Sequence, residues 1–234
     1  MMTDFHSHIL PGVDDGSPSL EVSLAMLRAA AEQGIEQVVA TPHFYANHDD
    51  PRRFLERRAR AEAALREAME GCQDLPRVLV GAEVAFFRGI SDSEFLPRLT
   101  ICGKRCILIE MPPAPWPEEF YRELEAIWRK RNILPIVAHI DRYIGPFRTH
   151  GIPQRLSGMP VLVQANADFF LERTTARMAL GMLKAGRIHL LGSDCHNLGG
   201  RKPNLGPALE KIRRRLGEKY IQRVCRYGSE ALDD

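Results

Sequence analysis

Residues 3–16 read TDFHSHILPGVDDG. The positions leading into His6 and His8 have the character of a short β-strand, and a tight turn then carries Asp14 and Asp15. Side chains two apart on a strand point to the same face, about 7 Å from one another. Two imidazoles on one face, with a carboxylate just beyond, suit a borderline divalent cation. A surface strand with two incidental histidines is the plainer alternative, and the rest of the chain has to choose between them.

Outward from that turn, strands and helices alternate. Ser17-Pro18 predicts a helix start, with Leu20, Leu24, Leu27 and Ala31 at helical spacing and Gly34 as the stop. Residues 35–41 predict a strand running into Pro42-His43. Pro51 then opens a charged helix with Phe54, Ala61, Leu65 and Ala68 on its apolar stripe. Further strands are expected at 77–82, ending in Glu83, and at 106–109, ending in Glu110. Three more follow at 134–138, 161–164 and 188–192, ending in His139, near Asn166, and in Ser193-Asp194-Cys195-His196. Between them the pattern predicts a helix at 118–131 with Phe120, Leu124 and Ile127 inward, and a broken helix around Pro146 and Pro153. Another helix is expected at 174–185. The last begins near Asn204, with Leu205, Leu209, Ile212 and Leu216 in register, before a short helical tail ending at Gly228. Seven strand–helix alternations imply a parallel sheet covered by helices, and short, almost wholly apolar strands are those a barrel buries on both faces.

The gross composition fits that reading. A chain of 234 residues, 44% hydrophobic and 26% charged, has the length of one α/β barrel domain, 1–234, without repeat or linker. A net charge of +2 argues against a nucleic-acid binder, and Arg57-Arg58-Ala59-Arg60 and Arg213-Arg214-Arg215 read as solvated helix faces. Five scattered cysteines suit free thiols in a reducing cytoplasm. No signal-peptide pattern and no apolar run of membrane-spanning length is expected.

The strand ends carry the chemistry. Six of the seven expected strands finish on histidine or an acid, and five of the eight histidines lie there. His48, His150 and His189 fall elsewhere and receive no role. In a parallel barrel all C-terminal strand ends open on one face, where barrel enzymes place their chemistry. Several charged groups converging there unpaired would be costly, and cations relieve that cost. The candidates are His6, His8, Asp15, His43, Glu83, Glu110, His139, Asp194 and His196, more than one ion needs. Two or three divalent ions follow, with imidazole and carboxylate favouring manganese, iron or zinc. Closely spaced metals serve in-line phosphoryl displacement, so the default reading is a phosphoesterase.

The stretches DFHSHILPGVDDG, ATPHF, GAE, ILIEMP, IVAHIDRY, VQANADFF and GSDCHNLGGRKP resemble the PHP (polymerase and histidinol phosphatase) superfamily. More narrowly they resemble its CpsB/CapC group of bacterial protein-tyrosine phosphatases of capsule and exopolysaccharide assembly, nearly end to end. The resemblance implies a distorted seven-stranded, TIM-like (β/α)7 barrel and a trinuclear, usually manganese-dependent centre. By family register His6, His8, Glu83 and Asp194 would hold the first metal. Glu83 would bridge to a second, completed by Glu110 and His139, and Asp15, His43 and His196 would hold the third. Asp14 is the alternative to Asp15. Arg142 and Arg201 match the family's phosphate-binding arginines, whose planar forks meet two phosphoryl oxygens at once. Asp141 stands where relatives often have the longer Glu, which bears on the placement of Arg142.

The implied reaction is attack of a metal-bound hydroxide on phosphotyrosine, with the arginines neutralising developing charge. A phenol with a pKa of about 10 leaves more readily than an alkoxide. His43, a water or no residue would supply its proton. The implied partner is the tyrosine-rich tail of a bacterial tyrosine autokinase. Three rival readings remain. Cys195 to Arg201 spells C-x5-R, the loop of cysteine-dependent tyrosine phosphatases, but lacks their preceding histidine. The metals could instead serve a small ester such as histidinol phosphate or a nucleotide. A non-catalytic scaffold would be expected to have lost a ligand.

Overall fold

The structure, a computed structural model, describes residues 1–113, 115–144 and 151–233. In chain order the elements are β1 (Thr3–Ser7), α1 (Leu20–Ala31), β2 (Gln37–Ala40), β3 (His43–Phe44), α2 (Pro51–Met69) and β4 (Arg77–Val80). Then come β5 (Glu83–Ala85), α3 (Leu96–Leu99), β6 (Cys106–Glu110), α4 (Glu118–Arg131), β7 (Leu134–Val137) and α5 (Ile152–Leu156). The chain continues with β8 (Leu162–Asn166), α6 (Ala167–Leu171), α7 (Ala176–Lys184), β9 (Leu190–Gly192), α8 (Leu205–Leu216) and α9 (Glu218–Leu232).

All strand pairings are parallel, in a three-stranded sheet β1-β2-β4 and a six-stranded sheet β3-β5-β6-β7-β8-β9. The two sheets curl towards each other. The Asp194 N–H donates to the His6 carbonyl at 2.8 Å and the His8 N–H to the Cys195 carbonyl at 2.9 Å, which brings the end of β9 alongside β1. The expected strands 35–41 and 77–82 stop at Ala40 and Val80, and each is followed after a two-residue break by a second short strand, so the described residues hold nine strand segments where seven were expected. Pro42, at the first break, has no N–H to pair. At the second, a Cβ on Gly81 would come within 3.2 Å of the Ile101 Cα.

Strand alternation divides the core. Ile107 and Ile109 of β6 join the large apolar cluster with the helices, whereas Cys106 and Leu108 join a smaller one with Phe5, Val39, Leu79, Ile136 and Leu190. Ala231 of α9 belongs to that smaller cluster as well.

Several local expectations are corrected. The cap of α1 is Ser19, whose hydroxyl accepts from the Val22 N–H, not Ser17. Pro51 does open α2, behind an Asp50 cap. In α4 the inward aromatic is Tyr121, while Phe120 is half-buried against Phe86. The tail is the long α9, and Gly228 lies inside it rather than ending it. A Cβ there would stand 2.9 Å from the Phe5 ring, so close packing outweighs glycine's poor helix propensity. Pro153 falls in α5, but Pro146 and His150 lie outside the described residues. Among the described residues no helix is long and apolar enough to cross a membrane, and all five cysteines are free.

Candidate metal centre

The turn after β1 builds one wall of the site. It is closed by hydrogen bonds from the Gly12 N–H to the Ser17 carbonyl and from the Ser17 N–H to the His8 carbonyl. Gly16 must lack a side chain, because a Cβ would come 2.2 Å from the His8 carbonyl oxygen. The turn folds Asp14 back beneath His8. Its Oδ2 meets His8 Nδ1 at 2.7 Å and accepts from the His43 N–H at 3.0 Å. A carboxylate behind one ring nitrogen fixes the tautomer and leaves the other, here Nε2, free to face the cluster. Asp15, two-thirds exposed, turns to the mouth instead, with Oδ1 3.5 Å from both His43 Nε2 and His196 Nε2.

The other donors arrive from strand ends. His43 starts β3 and pairs in register with Glu83 at the start of β5. Glu110 ends β6, His139 follows β7, and Asp194 and His196 follow β9. Glu83 is central: Oε2 lies 3.0 Å from His6 Nε2, 3.3 Å from His8 Nε2 and 3.0 Å from His43 Nδ1. Its Oε1 meets His139 Nε2 at 2.8 Å. Asp194 Oδ1 is 3.5 and 3.4 Å from the His6 and His8 rings, and Glu110 Oε1 is 3.5 Å from His139. Four overlapping groups have ligand atoms within 4.8 Å of one another: His8, Asp15, His43 and His196; His6, His8 and Asp194; His6, Glu83 and His139; and His43, Glu83 and Glu110. All nine expected donors belong to at least one group; Asp14 belongs to none. His139 (φ 29) and Asp194 (φ 54) adopt left-handed backbone that side chains other than glycine rarely accept, strain of the kind found at functional sites.

Both expected arginines reach this cluster. Arg142 bonds Asp194 Oδ2 and lies 3.4 Å from Glu110. Arg201 Nη2 donates to Asp194 Oδ1 at 2.9 Å. Each arginine side chain is about 40% exposed. Asn197 shapes the return of Arg201, its side-chain oxygen accepting from the N–H groups of Gly199 and Arg201. Asp141 turns away from the cluster to accept from the Asn166 N–H at 3.0 Å, holding the 3₁₀ turn Ile140–Arg142.

Sequence reasoning missed two amides. Gln164 Oε1 accepts from the His139 N–H at 2.6 Å and faces His6 Nδ1 at 3.4 Å, while its Nε2 donates to Asn166. Asn166 in turn donates to Asp194 Oδ2 at 3.1 Å. These side chains position the donors without charge of their own. The signal was present: Gln164 and Asn166, two apart, are polar residues on one face of the otherwise apolar VLVQANA.

The electrostatics fit a cation. Burial lowers the pKa of His6 and His8, but Glu83 and Asp194, joined by Asp14 at His8, outweigh it and raise both. Against the same burial, His6 and its neighbours hold Glu83 and Asp194 well below the ordinary carboxylate range. His196 moves the other way, to about 4, through burial, His8 and Arg201. Glu83 Oε2, His43 Nδ1 and His196 Nε2 are buried without a hydrogen-bond partner among the described residues. Lone pairs aimed at one another are a poor protein contact and a good ligand set. A divalent ion would satisfy the carboxylates while leaving the imidazoles neutral.

The thiol reading is not supported. Cys195 is buried, and burial together with Asp4 pushes its pKa up, the opposite of what a nucleophilic thiolate needs. His189 lies at the far end of β9, its ring edge-on to Tyr227.

Comparison with known proteins agrees with this geometry. A sequence model of the family described as capsular polysaccharide synthesis, CpsB/CapC, matches residues 2–232. The tyrosine-protein phosphatase YwqE of Bacillus subtilis is 28% identical, over 93% of this chain and 86% of that one. The tyrosine-protein phosphatase CpsB of Streptococcus pneumoniae is also 28% identical, over 95% of this chain and 94% of that one. The fold matches a solved structure from a crystallographic study of those two metal-dependent phosphatases, with a TM-score of 0.82 at 24% identity over 99% of this chain and 94% of that one.

Proposed function

The chain belongs to the CpsB/CapC family of capsular polysaccharide synthesis, and we propose that it is a metal-dependent protein-tyrosine phosphatase, a single catalytic domain over 1–234. The observation that carries the reading is the meeting of nine imidazole and carboxylate donors with two exposed guanidinium groups at one end of a curled parallel sheet. Counting β2 with β3 and β4 with β5 as single interrupted strands would give the seven of a PHP-type barrel.

His6, His8, Glu83 and Asp194 would hold one ion, Glu83, Glu110 and His139 a second, and Asp15, His43 and His196 a third, manganese being our choice over iron or zinc. The contacts of Asp14 make it the residue that orients His8 and favour Asp15 as the ligand. When bound, the ions supply an activated water and neutralise the phosphoryl oxygens. Arg142 and Arg201 clamp the phosphate and stabilise the charge that builds on its oxygens as the ester bond breaks. Asp194 holds both guanidinium groups at the mouth. His43 acts as ligand rather than proton donor, since both its ring nitrogens face carboxylates of the set. A tyrosine phenolate, with a parent pKa of about 10, leaves without a dedicated general acid. The substrate is a tyrosine-phosphorylated protein, in our reading the tail of a bacterial tyrosine autokinase, met in the cytoplasm.

The test pairs metal analysis of the purified protein with hydrolysis of a tyrosine-phosphorylated peptide, histidinol phosphate and single-stranded DNA. Manganese-dependent release of phosphate from the peptide, with the other two turned over far more slowly, is the expected result. Faster turnover of histidinol phosphate would overturn the assignment.

A further inference from the structure

Two cavities flank the donor cluster, and they differ in chemistry. One, of about 310 Å³, is walled by Phe86, Met111, Pro112, Pro113 and Tyr143, and it shares Glu110, His139 and Arg142 with the cluster. The other, of about 320 Å³, is lined by Asp14, Asp15 and Asp49 together with His43, Tyr45 and Arg57; only Val13 is aliphatic. Resting on the phosphatase reading above, we propose that the apolar cavity is the subsite for the phenyl ring of the substrate's phosphotyrosine.

The phosphorus and the ring of phosphotyrosine are joined through one oxygen, so a ring subsite has to border the phosphate clamp. The apolar cavity does so through Arg142. Its size is ample, since an apolar cavity of about 150 Å³ already holds benzene. Several of its walls are tied to one another. The Phe86 ring packs on Phe120 at 4.5 Å between centroids, and the Phe86 N–H donates to the Glu110 carbonyl at 2.8 Å. The Tyr143 hydroxyl accepts from the Met111 N–H at 2.8 Å, tying two walls together, and Trp116 packs against the Tyr143 ring at 5.0 Å. Flat aromatic and proline faces favour a flat apolar guest. The acidic cavity, lined by carboxylates, His43, Tyr45 and Arg57, offers a ring little apolar surface. Phosphoserine and phosphothreonine, clamped at the same arginines, would leave the apolar cavity unfilled. Selectivity for tyrosine then follows from apolar burial beside a phosphate site that does not itself discriminate.

The test uses the metal-loaded protein and two competitive inhibitors: inorganic phosphate, which has no ring, and phenylphosphonate, which has one. Phe86→Ala opens the cavity and Ala85→Leu fills it from the β5 side. Each should raise KM for a phosphotyrosyl peptide, and the ratio of the phenylphosphonate to the phosphate inhibition constant, by roughly tenfold. Metal content and melting temperature identify a variant that has failed to fold, and the other variant then decides. Tyr45→Ala, in the acidic cavity, should leave the ratio of inhibition constants where it is. An unmoved ratio in the folded Phe86 and Ala85 variants, or a ratio that moves with Tyr45, overturns the ring subsite while the phosphatase reading stands. A wild-type protein that does not hydrolyse the peptide takes both down.

Discussion

In β6 the side chains of Cys106 and Leu108 enter the inner apolar cluster, while Glu110, two residues further along the same face, stands among the metal-ligand candidates. β9 repeats the contrast. Leu190 lies in the apolar cluster, and four residues on the chain presents Asp194 beside His6 and His8. Two histidines bracket this strand, and both have their pKa lowered to about 4, for different reasons. His189, at the start, is depressed by burial and Arg223, and its Nδ1 accepts from the Val163 N–H. His196, at the end, is depressed by burial, His8 and Arg201. The lower end of the sheet is thus held by apolar burial. The upper end gathers ionisable groups that burial alone would disperse. Stability and chemistry occupy opposite ends of the same strands, and mutations should separate them.

Chelation of the metals should have the largest effect. It should abolish phosphotyrosine hydrolysis while far-UV circular dichroism retains the α/β signal, and manganese should restore the rate. Melting temperature should fall with it, because an ion that binds only the folded chain stabilises it. Cys195→Ser, assayed beside it, should keep the activity. Next, Arg142→Ala or Arg201→Ala should lower kcat by about 10²–10³-fold, the usual cost of removing one transition-state donor. Lysine at either position should restore only part of the loss, since it lacks the planar fork. At the lower end, Leu79→Ala should cost about 2–5 kcal/mol in urea unfolding with kcat of the folded fraction unchanged. A fall in kcat without a fall in stability there would erase the distinction between the two ends.

Asp14→Asn should be milder than either arginine change, weakening metal affinity or rate by about 10–100-fold through the orientation of His8. The smallest effect concerns His189. Its folded pKa of about 4 lies below the unfolded value of 6.5, so the unfolded chain takes up a proton that the fold refuses as pH drops between those values. Stability should therefore be complete above that window and lost on acidification, by about 1 kcal/mol at pH 5.5. His189→Gln should flatten that slope in urea titrations at pH 7 and 5.5. An equal slope in both proteins would mean that the imidazole is not kept neutral.

Much of the upper end was legible because charge is conspicuous in apolar strands: eight of the nine candidate donors stand where expected strands stop, and Asp15, with Asp14 as its alternative, lies on the turn after the first. The lower end and the supports were harder to see. The breaks at Pro42 and Gly81 look like strand interior in a one-dimensional pattern, because the contact that enforces the second comes from Ile101, twenty residues on. Gly228 reads as a helix stop until Phe5 is seen against it. Ser17 and Ser19 are equally good caps by residue type; the Val22 bond selects the second. Gln164 and Asn166 escaped a search built on histidines and acids, though they contact three of the candidate ligands it named.

Gln164 has a consequence of its own. An amide carries no ionisable proton in the range where imidazoles and carboxylates exchange theirs. Its oxygen, seated between the His139 backbone and the His6 ring, keeps the same lone pairs in acid and alkali. A proton that competed with a bound ion for His6 would therefore leave this seat undisturbed. Once that proton leaves, the His6 ring would meet the same acceptor again, with no rebuilding of the pedestal beneath.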